Sequence, residues 1–246
     1  MPKTVAAIIC AAGPGKRFGG KKKKQFTDVG GRAVFLRSVE LFADREEVKQ
    51  VLLAIARDDE EIVDVKWGPN LKFFGVKLLF GSEHRFDTVN NGLKLVNDGI
   101  DLVAVHDACR CCVTGKMIDK VIAAAEKTGA AIPACPVTAT IKQAKDDIII
   151  KTVDRSDLHE AQTPQVFAVE LLKRAYANLK NLDQSTISDD AQLIEALGEK
   201  VTIVETDSSN IKITRRSDIA IAEAIIKSRA KLAAKGPLGP YAEAQW

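Results

Sequence analysis

Six short apolar or β-branched runs alternate along the chain with stretches whose apolar residues recur at helical spacing, and that alternation restricts the fold more than any other feature. The runs are Thr4 to Cys10, Val51 to Ala56, Val76 to Phe80, Leu102 to Val105, Ala130 to Ala134 and Val201 to Thr206. Between and after them lie the helical patterns Val34 to Phe42, Phe86 to Val96, Met117 to Ala125, Val169 to Leu179, Ala191 to Leu197 and Ile219 to Leu232. Strands separated by helices pair through crossovers, so the order predicts an α/β fold: a Rossmann-like, mostly parallel sheet with helices on both faces. Ligands of such sheets bind beyond the carboxyl ends of the strands, which assigns the site to the loops that follow them.

One segment breaks the pattern. From Val137 to Asp154 the chain reads as extended, with Thr138, Thr140, Ile141, Ile148, Ile149, Ile150 and Thr152 flanking a polar turn at Ala144 to Asp147. This predicts an inserted β-arm over residues 137–155, and because a lone hairpin is marginal in water it needs a partner surface on the body or on a second subunit. Residues 1–235 read as one domain, and 236–246, with Pro237 and Pro240, as a poorly ordered tail.

The net charge of +3, from 36 basic and 33 acidic residues, is too small to imply a nucleic-acid or membrane surface, so an anionic ligand must be met locally. The longest apolar run, Val5 to Ala12, is less than half of the roughly 20 residues that span a bilayer. The opening residues lack the pattern of an export signal, and five cysteines without scaffold spacing read as reduced thiols, so the expected compartment is cytoplasmic. Cys109, Cys111 and Cys112 lie close together but lack the further Cys or His pair that structural zinc requires.

Three stretches carry chemistry. After the first strand, Ala11-Ala12-Gly13-Pro14-Gly15-Lys16-Arg17-Phe18-Gly19-Gly20 leads into Lys21 to Lys24. Glycines let backbone N–H groups approach a phosphate and cations close over it, but neither the dinucleotide fingerprint nor the P-loop spacing is present, and a flexible surface turn has the same composition. The fourth strand ends in His106-Asp107-Ala108-Cys109-Arg110, where Asp107 suits a metal ion or a hydroxyl and Arg110 an anion, or where Asp107 only caps a turn. Near the end, Ser209-Asn210-Ile211-Lys212-Ile213-Thr214 sets one lysine in an extended apolar stretch, as a phosphate ligand or as a surface lysine.

The order of these stretches, together with Lys24-Gln25, Arg85-x-x-Thr88-Val89, Thr152-Val153-Asp154-Arg155 and Ala161-Gln162-Thr163-Pro164-Gln165-x-Phe167, resembles the 2-C-methyl-D-erythritol 4-phosphate cytidylyltransferase family of the non-mevalonate isoprenoid pathway over residues 4 to 230. The resemblance implies a homodimeric nucleotidyltransferase that joins CTP to methylerythritol phosphate and releases pyrophosphate, with Mg²⁺ on the triphosphate. It assigns Ala11, Ala12, Gly13, Gly15 and Arg17 to the loop around CTP, and Lys24 and Lys212 to the two catalytic lysines beside Arg17. Base and ribose contacts fall on Gly81, Ser82, Glu83, Thr88 and Ala108. The sugar phosphate falls to Asp107, which also suits the metal, and to Arg110, Thr140, Arg155, Thr163, Ser188 and Lys212, with Thr140 and Arg155 on the other subunit's arm.

Lys23, Ser82, Glu83, Cys111 and Ala139 depart from the family's usual Pro, Gly, Asp, Pro and Asp, and Lys24 is chosen within the basic run because Gln25 follows it. The attacking phosphate is already ionised at neutral pH, so His106 is expected to be structural and not a general base. The rival readings are ribitol 5-phosphate cytidylyltransferase and a CTP-binding homologue that has lost turnover.

Overall fold

The structure is a computed structural model and describes residues 3–20 and 22–234. The expected tail at 236–246 and Lys21 lie outside the described residues.

In chain order, the first strand β1 (Val5–Cys10) is followed by a long loop, a 3-10 turn at Lys24–Phe26, the small pair β2 (Asp28–Val29) and β3 (Arg32–Ala33), and α1 (Val34–Ala43). Next come β4 (Val48–Ile55), α2 (Glu60–Phe73), β5 (Lys77–Phe80), α3 (Arg85–Leu93), β6 (Leu102–Asp107), α4 (Gly115–Thr128) and β7 (Ala130–Pro136). The arm strands β8 (Ile141–Lys145) and β9 (Ile148–Val153) are followed by β10 (His159–Ala161), β11 (Gln165–Ala168), α5 (Val169–Ala177), α6 (Ala191–Glu195), β12 (Thr202–Glu205) and α7 (Ser217–Ala234).

The main sheet runs β10-β7-β11-β6-β1-β4-β5, with β12 on the other side of β7. Strands β1, β4, β5 and β6 are parallel neighbours, as is the β7–β12 pair, so most of the sheet has the expected direction. Two strands account for the part that is not parallel: β11 lies antiparallel between β6 and β7, and β10 runs antiparallel along β7. Gln165 to Ala168 is too short and too mixed to stand out as an apolar run.

The strands are apolar at nearly every position because both faces are covered. Along β1, Val5, Ala7 and Ile9 face a core shared with Phe35, Leu36, Val39 and Phe42 of α1 and with Ile118, Val121 and Ile122 of α4. Ile8 faces the opposite core, with Phe86, Val89 and Leu93 of α3 and Leu172 of α5. This is the period-2 alternation of a strand meeting the i, i+3, i+4 stripe of helices on each side. A third, smaller core joins Phe18, Cys109, Cys111, Cys112, Ile213 and Ala222, so the cysteine cluster is packing under α7. All five cysteines are free thiols.

The arm forms a two-stranded ribbon of its own. Asp146 and Asp147 both take left-handed φ, the geometry of a tight two-residue hairpin turn. Among the described residues its strands pair only with each other, and Ile148, Ile149 and Ile150 are 71%, 60% and 58% exposed. Three consecutive isoleucines open on both faces of a ribbon form an apolar surface that nothing among the described residues covers.

Candidate active site

Strands β1 and β6 are neighbours and end together, with Cys10 opposite Asp107 in the ladder. Both chains then leave the sheet, and the crevice between them is walled by Cys10 to Pro14, by Lys24 and Gln25, by Ser82, Glu83, Arg85 and Thr88, and by Asp107, Cys109 and Lys212. The crevice therefore lies at the carboxyl ends of β1, β5 and β6.

Each wall is fixed by local bonds. Gln25 is buried and donates through Nε2 to the carbonyls of Ala11 at 2.8 Å and Gly13 at 3.3 Å, which ties the 3-10 turn beneath the first loop. Lys24, on that turn, lines the crevice, whereas the Nζ of Lys23 pairs with Asp59 at 2.8 Å and Lys22 lines other recesses. Gly15 has φ +67, in the left-handed region where a side chain is strained, and this lets the loop turn back above Lys24. On the β5 side, the Thr88 hydroxyl accepts from the Ser82 N–H at 2.9 Å and donates to the His84 carbonyl at 3.1 Å, which shapes the 81–84 loop.

Gly81 meets the first loop closely: a Cβ there would lie 2.2 Å from the Ala12 Cβ. Gly81→Ala should therefore push the two loops apart. The expected result is weaker binding of CTP, the ligand that the resemblance implies, with most of the fold's stability retained, read by calorimetric titration beside a thermal melt, and unchanged affinity would show that the two loops are free to spread.

At the floor, Asp107 is 8% exposed and meets three cations. Lys212 Nζ is 2.6 Å from Oδ2, Arg85 Nε donates to Oδ1 at 3.2 Å, and Arg110 Nε lies 3.9 Å away. Burial by itself raises this carboxyl's pKa, but Arg85, then Lys212 and Arg110, outweigh it and hold the group well below the usual carboxylate range. Asp107 is thus an ionised anchor for cations. His106 faces away, fully buried beside Phe42 with Nδ1 3.1 Å from the Thr163 hydroxyl; burial pushes its pKa down to about 3, more than the Asp107 carboxylate restores. The imidazole is thus neutral and lies off the crevice wall.

Of the sequence-derived candidates, Ala11, Ala12, Gly13, Lys24, Ser82, Glu83, Thr88, Asp107 and Lys212 share the crevice. Gly81 and Gly15 stand just behind its wall, and Arg17 lies exposed on the loop above. Ala108 is fully buried, its N–H donating to Cys10 and its carbonyl accepting from the Ser38 hydroxyl, so it serves the wall from behind. Thr163 is likewise buried, with its hydroxyl accepting from the Asp107 N–H at 3.0 Å. Arg110 donates to the carbonyls of Asn210 at 2.7 Å and Ala161 at 3.2 Å, which holds it as a brace under Lys212. Ser188 lines a separate recess that shares Arg85 with the crevice, and Thr140 and Arg155 sit exposed at the arm, away from it.

Sequence reasoning assigned no role to Arg85 or Asp190, although Arg85 stood in a quoted motif. Arg85 Nη1 donates to Asp190 at 2.6 Å, and Asp190 also accepts from the Tyr176 hydroxyl at 2.6 Å. The only sequence signal was an arginine opening a helix, where the positive end of the peptide dipoles disfavours a cation unless carboxylates face it.

A family model described as IspD, 2-C-methyl-D-erythritol 4-phosphate cytidylyltransferase, matches residues 5–228. The protein of that name from Endomicrobium trichonymphae is 45% identical over 224 residues, covering 91% of this chain and 99% of its own length. The one from Bacillus mycoides is 38% identical over 226 residues, with 91% and 98% covered. Among solved structures, the 4-diphosphocytidyl-2C-methyl-D-erythritol synthase of Anaerococcus prevotii superposes with a TM-score of 0.78 at 30% identity, covering 92% of this chain and 97% of that one. The 2-C-methyl-D-erythritol 4-phosphate cytidylyltransferase of Thermus thermophilus gives 0.75 at 33% identity, with 92% and 100% covered. With end-to-end coverage in both sequence and structure, the chain belongs to the IspD family, the cytidylyltransferases of isoprenoid biosynthesis.

Proposed function

We propose that the crevice above Asp107 joins CTP to 2-C-methyl-D-erythritol 4-phosphate. A phosphate oxygen of the sugar attacks the α-phosphorus of CTP, a new P–O bond forms as the bond to the β-phosphate breaks, and pyrophosphate leaves with the electron pair. The observation that carries this reading is the convergence of Lys24 and Lys212 on one crevice whose floor is an ionised, cation-bound carboxylate. Phosphoryl-type transfer needs positioning and charge stabilisation, and no covalent nucleophile.

The roles divide by position. Arg17 and Lys24 serve the triphosphate from the loop side, and Lys212 the transferring group from the floor. The backbone of Ala11 to Gly13, with Ser82, Glu83 and Thr88, surrounds the nucleotide. Among the described residues no three His, Cys, Asp or Glu side chains converge as a ready-made metal site. The carboxylates on the crevice wall are Asp107 and Glu83, and such a sparse set fits Mg²⁺, an ion that keeps its waters and takes one or two carboxylates besides phosphate oxygens. Asp107 is the carboxylate that would hold it, and the ion would offset the triphosphate's charge.

The partner is a second copy of the chain. The uncovered isoleucines of β9 support an arm that packs on another subunit, which would bring Thr140 and Arg155 to that subunit's sugar phosphate. Arg155 donates to the Thr138 carbonyl at the base of the arm, so the two ends of the ribbon are tied together there. The five free thiols, four of them buried, support a cytoplasmic enzyme.

Pyrophosphate release measured with each of the four nucleoside triphosphates, and with methylerythritol phosphate against ribitol 5-phosphate, tests the assignment. CTP with methylerythritol phosphate should react far faster than any other pair. Equal turnover of ATP or GTP would sink the base contacts, and preference for ribitol 5-phosphate would replace the sugar substrate.

A further inference from the structure

Asp190 is an acidic residue only 1% exposed and absent from the crevice wall, yet it is held from several sides. Its carboxylate accepts from Tyr176 of α5 and from Arg85 at the start of α3, each at 2.6 Å, while its N–H donates to the Gln165 side chain on β11 at 3.1 Å. The same guanidinium reaches Asp107 through Nε, and the other oxygen of Asp107 holds Lys212. A continuous line of charge-assisted bonds thus runs Tyr176, Asp190, Arg85, Asp107, Lys212. Buried ion pairs are seldom retained for stability, because well-packed apolar groups of the same volume do as well or better. Another use is to fix geometry, and a planar guanidinium clamped on one edge has no freedom left on the other.

We propose that Asp190 is a positioning residue for the transfer: by locking the Arg85 guanidinium it sets the Asp107 carboxylate, and through it the place of Lys212. The inference rests on the proposed function, which gives Lys212 its role at the transferring group. Arg85 is the second positioning residue, acting through Asp107.

The test is steady-state kinetics of full-length Asp190→Asn, Arg85→Lys and the double variant beside the wild type, with melting temperatures. Asp190→Asn is nearly isosteric, and it should lower kcat by roughly tenfold or more while both KM values stay within about threefold, the loss expected when a supporting contact lets a reacting group drift. Arg85→Lys keeps the charge but not the fork, so it should lose at least as much. Because the two act in one line, the double variant should be no worse than Arg85→Lys alone. A lower melting temperature with kcat unchanged would overturn the proposal, as would a rise in either KM with kcat unchanged, or losses that multiply in the double variant. Should Asp190→Asn not fold, Tyr176→Phe removes one bond of the same line and should lower kcat, with both KM values unchanged. A wild type without turnover would refute the proposed function and leave only the structural half of the inference, the locking of Asp107 and Lys212, to be judged. A crystal structure of Asp190→Asn then decides it: displaced Asp107 and Lys212 are expected, and both unmoved would overturn it.

Discussion

Replacing Lys212 with alanine should lower kcat/KM by roughly 10²–10³-fold, with most of the loss in kcat. The amine sits 2.6 Å from a carboxylate kept ionised by two further cations, so it is held, charged and close to the crevice before any substrate arrives. A fixed donor of this kind in a water-poor site is worth about 3–4 kcal/mol once charge develops on the transferring group. Lys24→Ala should fall in the same range, because its side chain lines the opposite wall. Lys23→Ala is the informative control. Its amine is already spent on Asp59, and activity within a few-fold of wild type is expected. A silent Lys24→Ala beside a severe Lys23→Ala would move the loop's catalytic lysine by one position.

Two dead variants should restore each other. Arg155→Ala removes the arm's contribution and Lys212→Ala the body's, and each homodimer should be nearly inactive if every site takes its arm from the neighbour. A mixed dimer then holds one site with both defects and one with neither. Random co-refolding makes half of the dimers mixed, each with one good site of two, so recovery should approach about a quarter of wild-type activity, a large rise over either parent. Absence of recovery after demonstrated subunit exchange would mean that Arg155 serves its own subunit or never meets the substrate.

Much of this architecture is legible in the sequence because burial on both faces writes itself as apolar runs. Val5 to Cys10, Leu102 to Asp107 and Ala130 to Pro136 were all marked by such runs, and the loops after the first two bound the crevice. Helix α2 escaped because Glu60, Glu61, Asp64 and Lys66 leave it a weak apolar stripe, with Gly68 and Pro69 against helical propensity; only Val63 and Leu71 are buried. Strand β11 escaped for a different reason. Its pairing depends on two strands that lie at least 29 residues upstream, and nothing local to Gln165–Ala168 encodes that.

The same holds at the site. Asp107, Lys24 and Lys212 carried motif signals, but the bond partners that decide what Thr163, Ala108 and Arg110 do are set only by tertiary contact. Thr163 and Arg110 read as substrate ligands from their motifs. What the motifs do not show is how the chain supports them: the Thr163 hydroxyl accepts from the Asp107 N–H at the end of β6, and Arg110 donates to the Asn210 carbonyl beside Lys212.

The antiparallel strand also sets a timetable. Strand β7 touches β6 nowhere in the ladder; β11 joins them, β10, just before β11 in the chain, pairs with β7 as well, and β12 flanks β7 from sequence later still. As the chain emerges from the ribosome, β1, β4, β5 and β6 can assemble with α1 and α3 from residues up to Asp107, whereas β7 stays without a partner strand until His159 to Ala168 have been made. The half of the sheet that carries the loops after β1 and β5 is therefore available early, and the half beyond β6 closes last, so a chain arrested between them carries a bare apolar strand and an unsupported arm.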